Sequence, residues 1–385
     1  MNRLFADLPT TIFDLMSGLA RELGAVNLGQ GFPEADGPMA VREAAARAIL
    51  DGPNQYPPMR GTLQLREAVA AHYAHWQGVT IDPAREIVVT SGATEALAAA
   101  LLAALNPGDE VVLFQPMYDS YLPMLRRAGA DARIVSLQAP DWRPSRADLA
   151  GAFTARTRAV VINTPLNPTA SLFDADSLAL IAEFCIAHNA VCISDEVWEH
   201  VVFDGARHAT ILNAPGMRDR AIKIGSAGKM FSMTGWKVGF ACAAPPLADA
   251  FAKAHQYLTF TTPPALQTAV AHGLTLPDKV FDAMRAELQA SRDFLRDALA
   301  AEGFVTTPAA GTYFIGVDLA ASGIGLSDHD FALRAVREAG VASIPYSAFC
   351  AAPPEGQFVR LCFAKSPATL SRGVAAMAKA RRLFG

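Results

Sequence analysis

The stretch Ser226-Ala-Gly-Lys-Met-Phe-Ser-Met-Thr-Gly-Trp-Lys-Val-Gly239 sets a lysine, Lys229, just after an apolar strand-like run and flanks it with serine, glycine and a second lysine, Lys237. Ligands of open α/β sheets bind at the carboxyl ends of strands, so an amine there stands where chemistry is done. Desolvated and near other cations, it loses basicity and becomes a nucleophile able to form a Schiff base with a carbonyl. The rival is a surface lysine in a loop, but Gly225, Gly228 and Gly235 point to a backbone that closely approaches something bound. A nucleotide P-loop is excluded, because that motif needs glycine at 223 and serine or threonine at 230, where this chain has Lys223 and Met230.

Other reactive residue types recur at strand ends. Asp195 follows the apolar run Val191-Cys-Ile-Ser194 and reads either as a buried partner for a cation or as a capping acid beside Glu196. Two prolines in Asn163-Thr-Pro-Leu-Asn-Pro-Thr169 lock a loop and aim the Asn167 amide, unless the segment is a plain turn. Ser91-Gly-Ala-Thr-Glu-Ala96 marks a strand giving way to a helix, whose first N–H groups make an anion site without any charged side chain, although many such turns bind nothing. Arg360 lies in the apolar strand pattern Phe358-Val-Arg-Leu-Cys-Phe363, where an unpaired guanidinium is costly. Its planar fork suits a carboxylate ligand bidentately; a buried structural salt bridge is the alternative.

The elements that must position these groups alternate. From about residue 85 to 245 the pattern predicts strands at Glu86–Thr90, Glu110–Phe114, Ala159–Asn163, Val191–Ser194, Ala221–Gly225 and Gly239–Ala243, with helices at Thr94–Leu105, from Tyr118, and at Asp174–His188. Runs that are apolar on both faces suit a mostly parallel sheet sandwiched by helices, so the large domain is α/β. A periodic charged-and-apolar stretch, Lys279–Glu302, predicts a long helix ending near Gly303. Beyond it the rhythm is α+β: a strand at Thr312–Leu319, a helix at Asp328–Ala339, strands near Val341–Ile344 and at Gln357–Phe363, and a last helix from Pro367. The division expected is an N-terminal segment, 1–45, contributing to the small domain and the cleft; a large domain, 46–285; and a small C-terminal domain, 286–385. A cleft between the two domains is the expected ligand site.

Bulk properties narrow the function. The chain has 385 residues, a net charge of -4 and only 18% charged residues, which gives no basic face for a nucleic acid. Five scattered cysteines, Cys185, Cys192, Cys242, Cys350 and Cys362, show no C-x-x-C spacing and read as buried free thiols in a reducing compartment. No signal-peptide pattern opens the sequence, and apolar runs break before the roughly 18 residues of a membrane span. A soluble cytoplasmic protein without a metal site is the expectation.

The cofactor-lysine stretch resembles that of fold type I pyridoxal-phosphate (PLP) enzymes, the class I/II aminotransferases. Matching motifs recur in order from Asn27-Leu-Gly-Gln-Gly-Phe-Pro33 to Val359-Arg-Leu-Cys-Phe363, and within the class they look most like the methionine, glutamine and kynurenine aminotransferase group. The resemblance implies that Lys229 holds PLP covalently and then moves the substrate Cα proton. It implies that Asp195 keeps the pyridine nitrogen protonated, so that the cofactor works as an electron sink, and that Asn167 donates to the phenolic oxygen. Ala93, Thr94, Ser226 and Lys237 are expected on the phosphate, and Tyr118 on the ring face. Tyr56, in Asn54-Gln-Tyr-Pro57, is expected to reach the phosphate of a neighbouring subunit, which implies a homodimer with shared sites. Arg360, Gly31 and Trp198 are expected to meet the substrate.

Two positions depart from the family pattern. Trp198 stands where the family usually has a tyrosine on the phenolic oxygen; an indole N–H donates but cannot accept or ionise as a phenol can. Ala170 stands where glycine is common. No counterpart appears near Tyr257-Leu-Thr-Phe-Thr-Thr-Pro263 of the extra arginine that aspartate-preferring relatives use. The candidate pocket residues Phe13, Phe32, Tyr121, Trp198, Tyr257 and Phe349 are aromatic, which predicts transamination of several neutral L-amino acids with 2-oxo acids. The rival readings are a PLP-dependent C–S β-lyase, which uses the same lysine and aspartate, and a non-catalytic ligand sensor, for which this chain lacks both an added DNA-binding region and a basic face.

Overall fold

A computed structural model describes residues 3–385. The described residues open with a short helix, Arg3–Ala6, then the helix Ile12–Leu23 and a short strand, β1 (Val26–Asn27), followed by the helices Met39–Asp51 and Leu63–Gln77. Seven strands then build the main sheet: β2 (Ile87–Thr90), β3 (Glu110–Gln115), β4 (Asp131–Ser136), β5 (Thr157–Asn163), β6 (Val191–Asp195), β7 (Ala221–Ser226) and β8 (Gly239–Ala243). Their spatial order is β2-β8-β7-β6-β5-β3-β4. The run from β4 to β7 is parallel, and β8 is antiparallel to both its neighbours.

The strands read as continuous apolar runs because both faces are covered. Val111, Leu113, Val161, Ile193, Ile224 and Ala241 pack in one core, while Val112, Phe114, Val160, Ile162, Cys192 and Phe240 pack in a second on the opposite face. This is the period-2 alternation of a pleated strand resolved into two layers of helix-covered core. All five cysteines are free thiols.

Four strands form a smaller antiparallel sheet in the order β12-β13-β10-β9, from β9 (Val305–Thr306), β10 (Phe314–Asp318), β12 (Ile344–Pro345) and β13 (Phe358–Cys362). Between them, β11 (Val341–Ala342) pairs in parallel with β1, Val26 opposite Val341. The N-terminal segment is thereby tied to the C-terminal elements, and Met16 and Ala20 share a core with Ala332, Val336 and Ile344.

The structure departs from the sequence pattern in three places. Strand β4 carries Asp131, Arg133 and Ser136 at the edge of the sheet, half solvated, so it lacks the apolar signature. The helix expected from Tyr118 starts at Tyr121, leaving Tyr118 and Asp119 on the turn. The helix from Asp328 is α only to Arg334, passes into a π turn over Ala335–Ala339, and ends at Gly340 with φ 88°, a left-handed conformation suited to glycine. No helix among the described residues is long and apolar enough to cross a membrane.

Candidate active site

The carboxyl ends of β5, β6 and β7 and the start of the helix Gly92–Ala104 surround a cavity of about 420 Å³, closed on the far side by Gln30, Gly31, Phe314 and Arg360. Lys229 sits on a short helix, Ala227–Met230, that follows β7 without a break. Its Nζ donates to the Tyr313 hydroxyl at 3.0 Å and lies 4.6 Å from the centre of the Trp198 ring. Burial in the cavity wall, aided by the positive charge of Arg360, brings this amine down to about 8, against 10.5 for an ordinary lysine. The amine the sequence singled out is therefore primed as a nucleophile near neutral pH.

Asp195 ends β6 and is buried. Burial pushes its carboxyl up to about 6, despite a 2.6 Å hydrogen bond donated by the Tyr121 hydroxyl and a weaker one from the Val197 amide. Among the described residues no cation forms an ion pair with it, although the Lys229 amine acts on it from a distance, so the carboxylate lines the cavity without a paired cation. The loop after β5 is fixed to the same strand end: the Asn163 amide donates to the Asp195 carbonyl at 2.9 Å and accepts from the Asn167 N–H at 2.9 Å.

Arg360 is 1% exposed and donates to Asn167 Oδ1 at 2.6 Å and to the Gly29 carbonyl at 2.9 Å, with Nε unpartnered. It has no carboxylate partner among the described residues, which leaves out the structural salt bridge as its reason for being there. Instead Phe314, Phe349 and Phe13 surround it at 3.8, 4.9 and 5.3 Å, and burial lowers the guanidinium to about 10. Because arginine can only donate, the carbonyl oxygen of Asn167 must face it, and the Asn167 NH₂ is left to donate into the cavity.

At the opposite wall, Ala93 and Thr94 open the helix Gly92–Ala104 beside Ser226 and Lys237. Gly92 has φ 75°, and a Cβ there would meet Lys237 Cε at 3.1 Å and Nζ at 3.2 Å. The helix N-terminus and the ammonium are thus packed as one anion cradle. Tyr118 lines the cavity nearby, its acidity weakened mainly by burial.

The comparisons with known proteins settle the family. The family model of aminotransferase class I and II matches residues 24–377. The chain belongs to the class I and II aminotransferases. It is 45% identical over 378 residues to a probable N-succinyldiaminopimelate aminotransferase of Mycobacterium tuberculosis, covering 95% of this chain and 94% of that protein. It is 41% identical over 363 residues to the methionine aminotransferase of Escherichia coli, covering 94% of each. Solved structures of a Mycobacterium tuberculosis N-succinyldiaminopimelate aminotransferase and of the Escherichia coli YbdL protein, with a methionine aminotransferase function, match with TM-scores of 0.95 and 0.94 at 42% and 40% identity. The first match covers 99% of this chain and 100% of that one, the second 100% and 99%. This aminotransferase moves amino groups between amino acids and 2-oxo acids, and its cofactor is PLP.

The residues present fit that cofactor. A buried carboxylate without a paired cation suits a protonated ring nitrogen, the Gly92–Lys237 cradle suits a phosphate, and Lys229 lines the same cavity. Of the residues expected at the site, Ala93, Thr94, Tyr118, Asn167, Asp195 and Ser226 line this cavity, as do Lys229, Lys237, Arg360, Gly31 and Trp198. Tyr56 does not: it is 83% exposed and packs edge-on against Phe260 at 5.4 Å.

Among the expected pocket residues, Phe13, Phe32 and Trp198 face the cavity. Tyr257 is 85% exposed and outside it; Tyr121 stands behind Asp195, and Phe349 lies beneath Phe13 and Arg360. Sequence reasoning missed Gln30, Asp119 and Phe314 in the cavity wall, and Tyr313 beside the amine. Asp119 had one signal, its place directly after Tyr118 on the turn at the carboxyl end of β3. The aromatic pair at the start of β10 looked like ordinary core.

Proposed function

We propose that this aminotransferase takes neutral L-amino acids, of the methionine, glutamine, aromatic and kynurenine type, as donors to a 2-oxo acid. The observation that carries this is the charge inventory of the cavity. Its cations are Lys229, Lys237 and Arg360, and the proposed roles of all three leave none for a side-chain carboxylate, while the Asp119 carboxyl adds a repelling acid. The rest of the substrate side is Phe13, Phe32, Trp198 and Phe314 with the amide of Gln30. Such walls distinguish neutral side chains by only ~1–3 kcal/mol per methylene, so several donors are accepted.

In this reading Asp195 pairs with the ring nitrogen, Asn167 donates to the phenolic oxygen, and Tyr118 covers the ring. Ala93, Thr94, Ser226 and Lys237 hold the phosphate, and Arg360 with Gly31 binds the substrate carboxylate. When bound, PLP supplies the electron sink for charge left at Cα. Lys229 would hold PLP and, once its amine is free, would carry the substrate's Cα proton.

Exposed Tyr56, Tyr257, Phe260 and Leu50 support a homodimer in which Tyr56 completes the partner's phosphate site. The pairing of β1 with β11 supports the division into 1–45, 46–285 and 286–385. Free buried thiols support a cytoplasmic location.

A second reading rests on the 45% identity to the mycobacterial protein: a donor or acceptor of the N-succinyldiaminopimelate type. One experiment separates them. The visible absorbance of the purified enzyme is followed after adding methionine, glutamine, kynurenine, aspartate or N-succinyldiaminopimelate with no 2-oxo acid present. Loss of the yellow band with the neutral donors is expected. Loss with N-succinyldiaminopimelate alone would overturn the neutral-donor reading, and pyruvate release from cystathionine without spectral conversion would favour the C–S β-lyase.

A further inference from the structure

The free amine of Lys229 has one hydrogen-bond partner that neither the fold motif nor the cofactor pattern supplies. The Tyr313 hydroxyl, on a ring that is 1% exposed, donates to the Gly31 carbonyl at 2.6 Å and sits 3.0 Å from Lys229 Nζ. A carbonyl can only accept, so the single phenolic hydrogen is committed to Gly31, and toward Lys229 the oxygen can only accept. The lysine therefore spends one N–H on Tyr313 whether it is an amine or an ammonium. As an amine, it keeps its lone pair free for another direction.

The rings around it are arranged to match. Trp198 meets Tyr313 edge-on, with centroids 4.4 Å apart at 90°, while the ring of Trp198 lies 4.6 Å from Nζ, where it favours a positive charge. Gly31, which holds the phenol, is closed in by Phe314: a Cβ there would meet Phe314 Cζ at 2.6 Å. The phenol is thus fixed from two sides before any ligand enters.

We propose that Tyr313 is the positioning residue for Lys229 during proton transfer: it accepts one N–H of the displaced lysine in either protonation state and, when the amine is neutral, leaves its lone pair turned away from the phenol. This rests on the proton-carrying role of Lys229. It also gives the chain a phenol at the reactive amine, delivered from the start of β10, although position 198 on β6's turn carries tryptophan. The interaction joins residues 84 apart in sequence, and through Gly31 it ties the amine to the segment that borders the substrate.

The test is Tyr313→Phe, which keeps the buried ring and deletes only the oxygen. In single-turnover half-reactions with methionine, the rate constant should fall about 10-fold and the isotope effect with Cα-deuterated methionine should rise, while methionine affinity stays within about 2-fold. A readout independent of turnover uses the enzyme loaded with pyridoxamine phosphate, in which Lys229 is free. Acetylation of Lys229 by limiting acetic anhydride, followed by mass spectrometry, should be about 2- to 10-fold faster than in wild type, the range expected for loss of one hydrogen bond. An unchanged isotope effect and labelling rate, or a rate loss wholly explained by lost cofactor, would overturn the proposal. Retention of the half-reaction by Lys229→Ala would instead remove the underlying role of Lys229, a different outcome from any Tyr313 result.

Discussion

Two lysines on the same strand-to-helix stretch have opposite fates. Lys223, within β7, is fully buried, yet its ammonium is raised above the ordinary lysine value. Burial opposes that, but the Glu199 and Glu196 carboxylates outweigh it, and the ring of Tyr73 lies 3.9 Å from Nζ. In return, although its own burial works the other way, Lys223 and His208 hold the Glu196 carboxyl at about 2. Lys229, half-buried at the cavity, has Arg360 as its strongest charged neighbour and is lowered to about 8. Burial is common to both; the sign of the surrounding charge decides which is a structural cation and which a reactive amine.

The comparison can be broken most severely at the reactive end. Lys229→Ala should reduce transamination at least ~1000-fold, the scale on which positioned proton transfer operates, while circular dichroism reports an unchanged fold. At the structural end, Lys223→Met strands two buried carboxylates and should cost about 3–5 kcal/mol in urea unfolding. Activity per folded molecule should fall much less than in Lys229→Ala, and equal losses of activity in the two variants would erase the distinction.

A smaller effect tests the charge argument itself. If Arg360 helps hold Lys229 down, Arg360→Met should move upward the pH midpoint for PLP recombination with cofactor-free protein. A downward or absent shift would mean that burial acts alone. The smallest effect is on stability of the cofactor-free protein. A lysine lowered to about 8 carries fewer protons folded than unfolded, so its destabilising contribution is relieved as pH rises from about 8 toward 10.5. Lys223, raised, contributes stability that is lost only as pH climbs through its own higher value. The stability gap between Lys229→Met and wild type should therefore shrink across that window in thermal melts.

The features legible in the sequence are those each strand carries to its own end. Lys229, Asp195, Asn167 and the Gly92–Ala104 helix start are local: an apolar run stops, a polar residue follows, and the alternation of strand and helix brings all such ends to one edge of the sheet. The α/β class and nearly every strand of the main sheet followed from the same rhythm. Edge strand β4 did not, because solvent on one side removes the apolar signal.

What the tertiary structure alone decided are the contacts between groups far apart in the chain. Arg360 faces Asn167 across 193 positions and Tyr313 reaches Gly31 across 282; Lys223 finds its carboxylates behind the cavity rather than in it. Tyr257, aromatic and expected in the pocket, is at the surface. Periodicity records which face a residue turns toward the core, whereas a hydrogen bond between distant side chains leaves no repeat in sequence, so the chain determined its chemistry and the packing determined the partners that tune it.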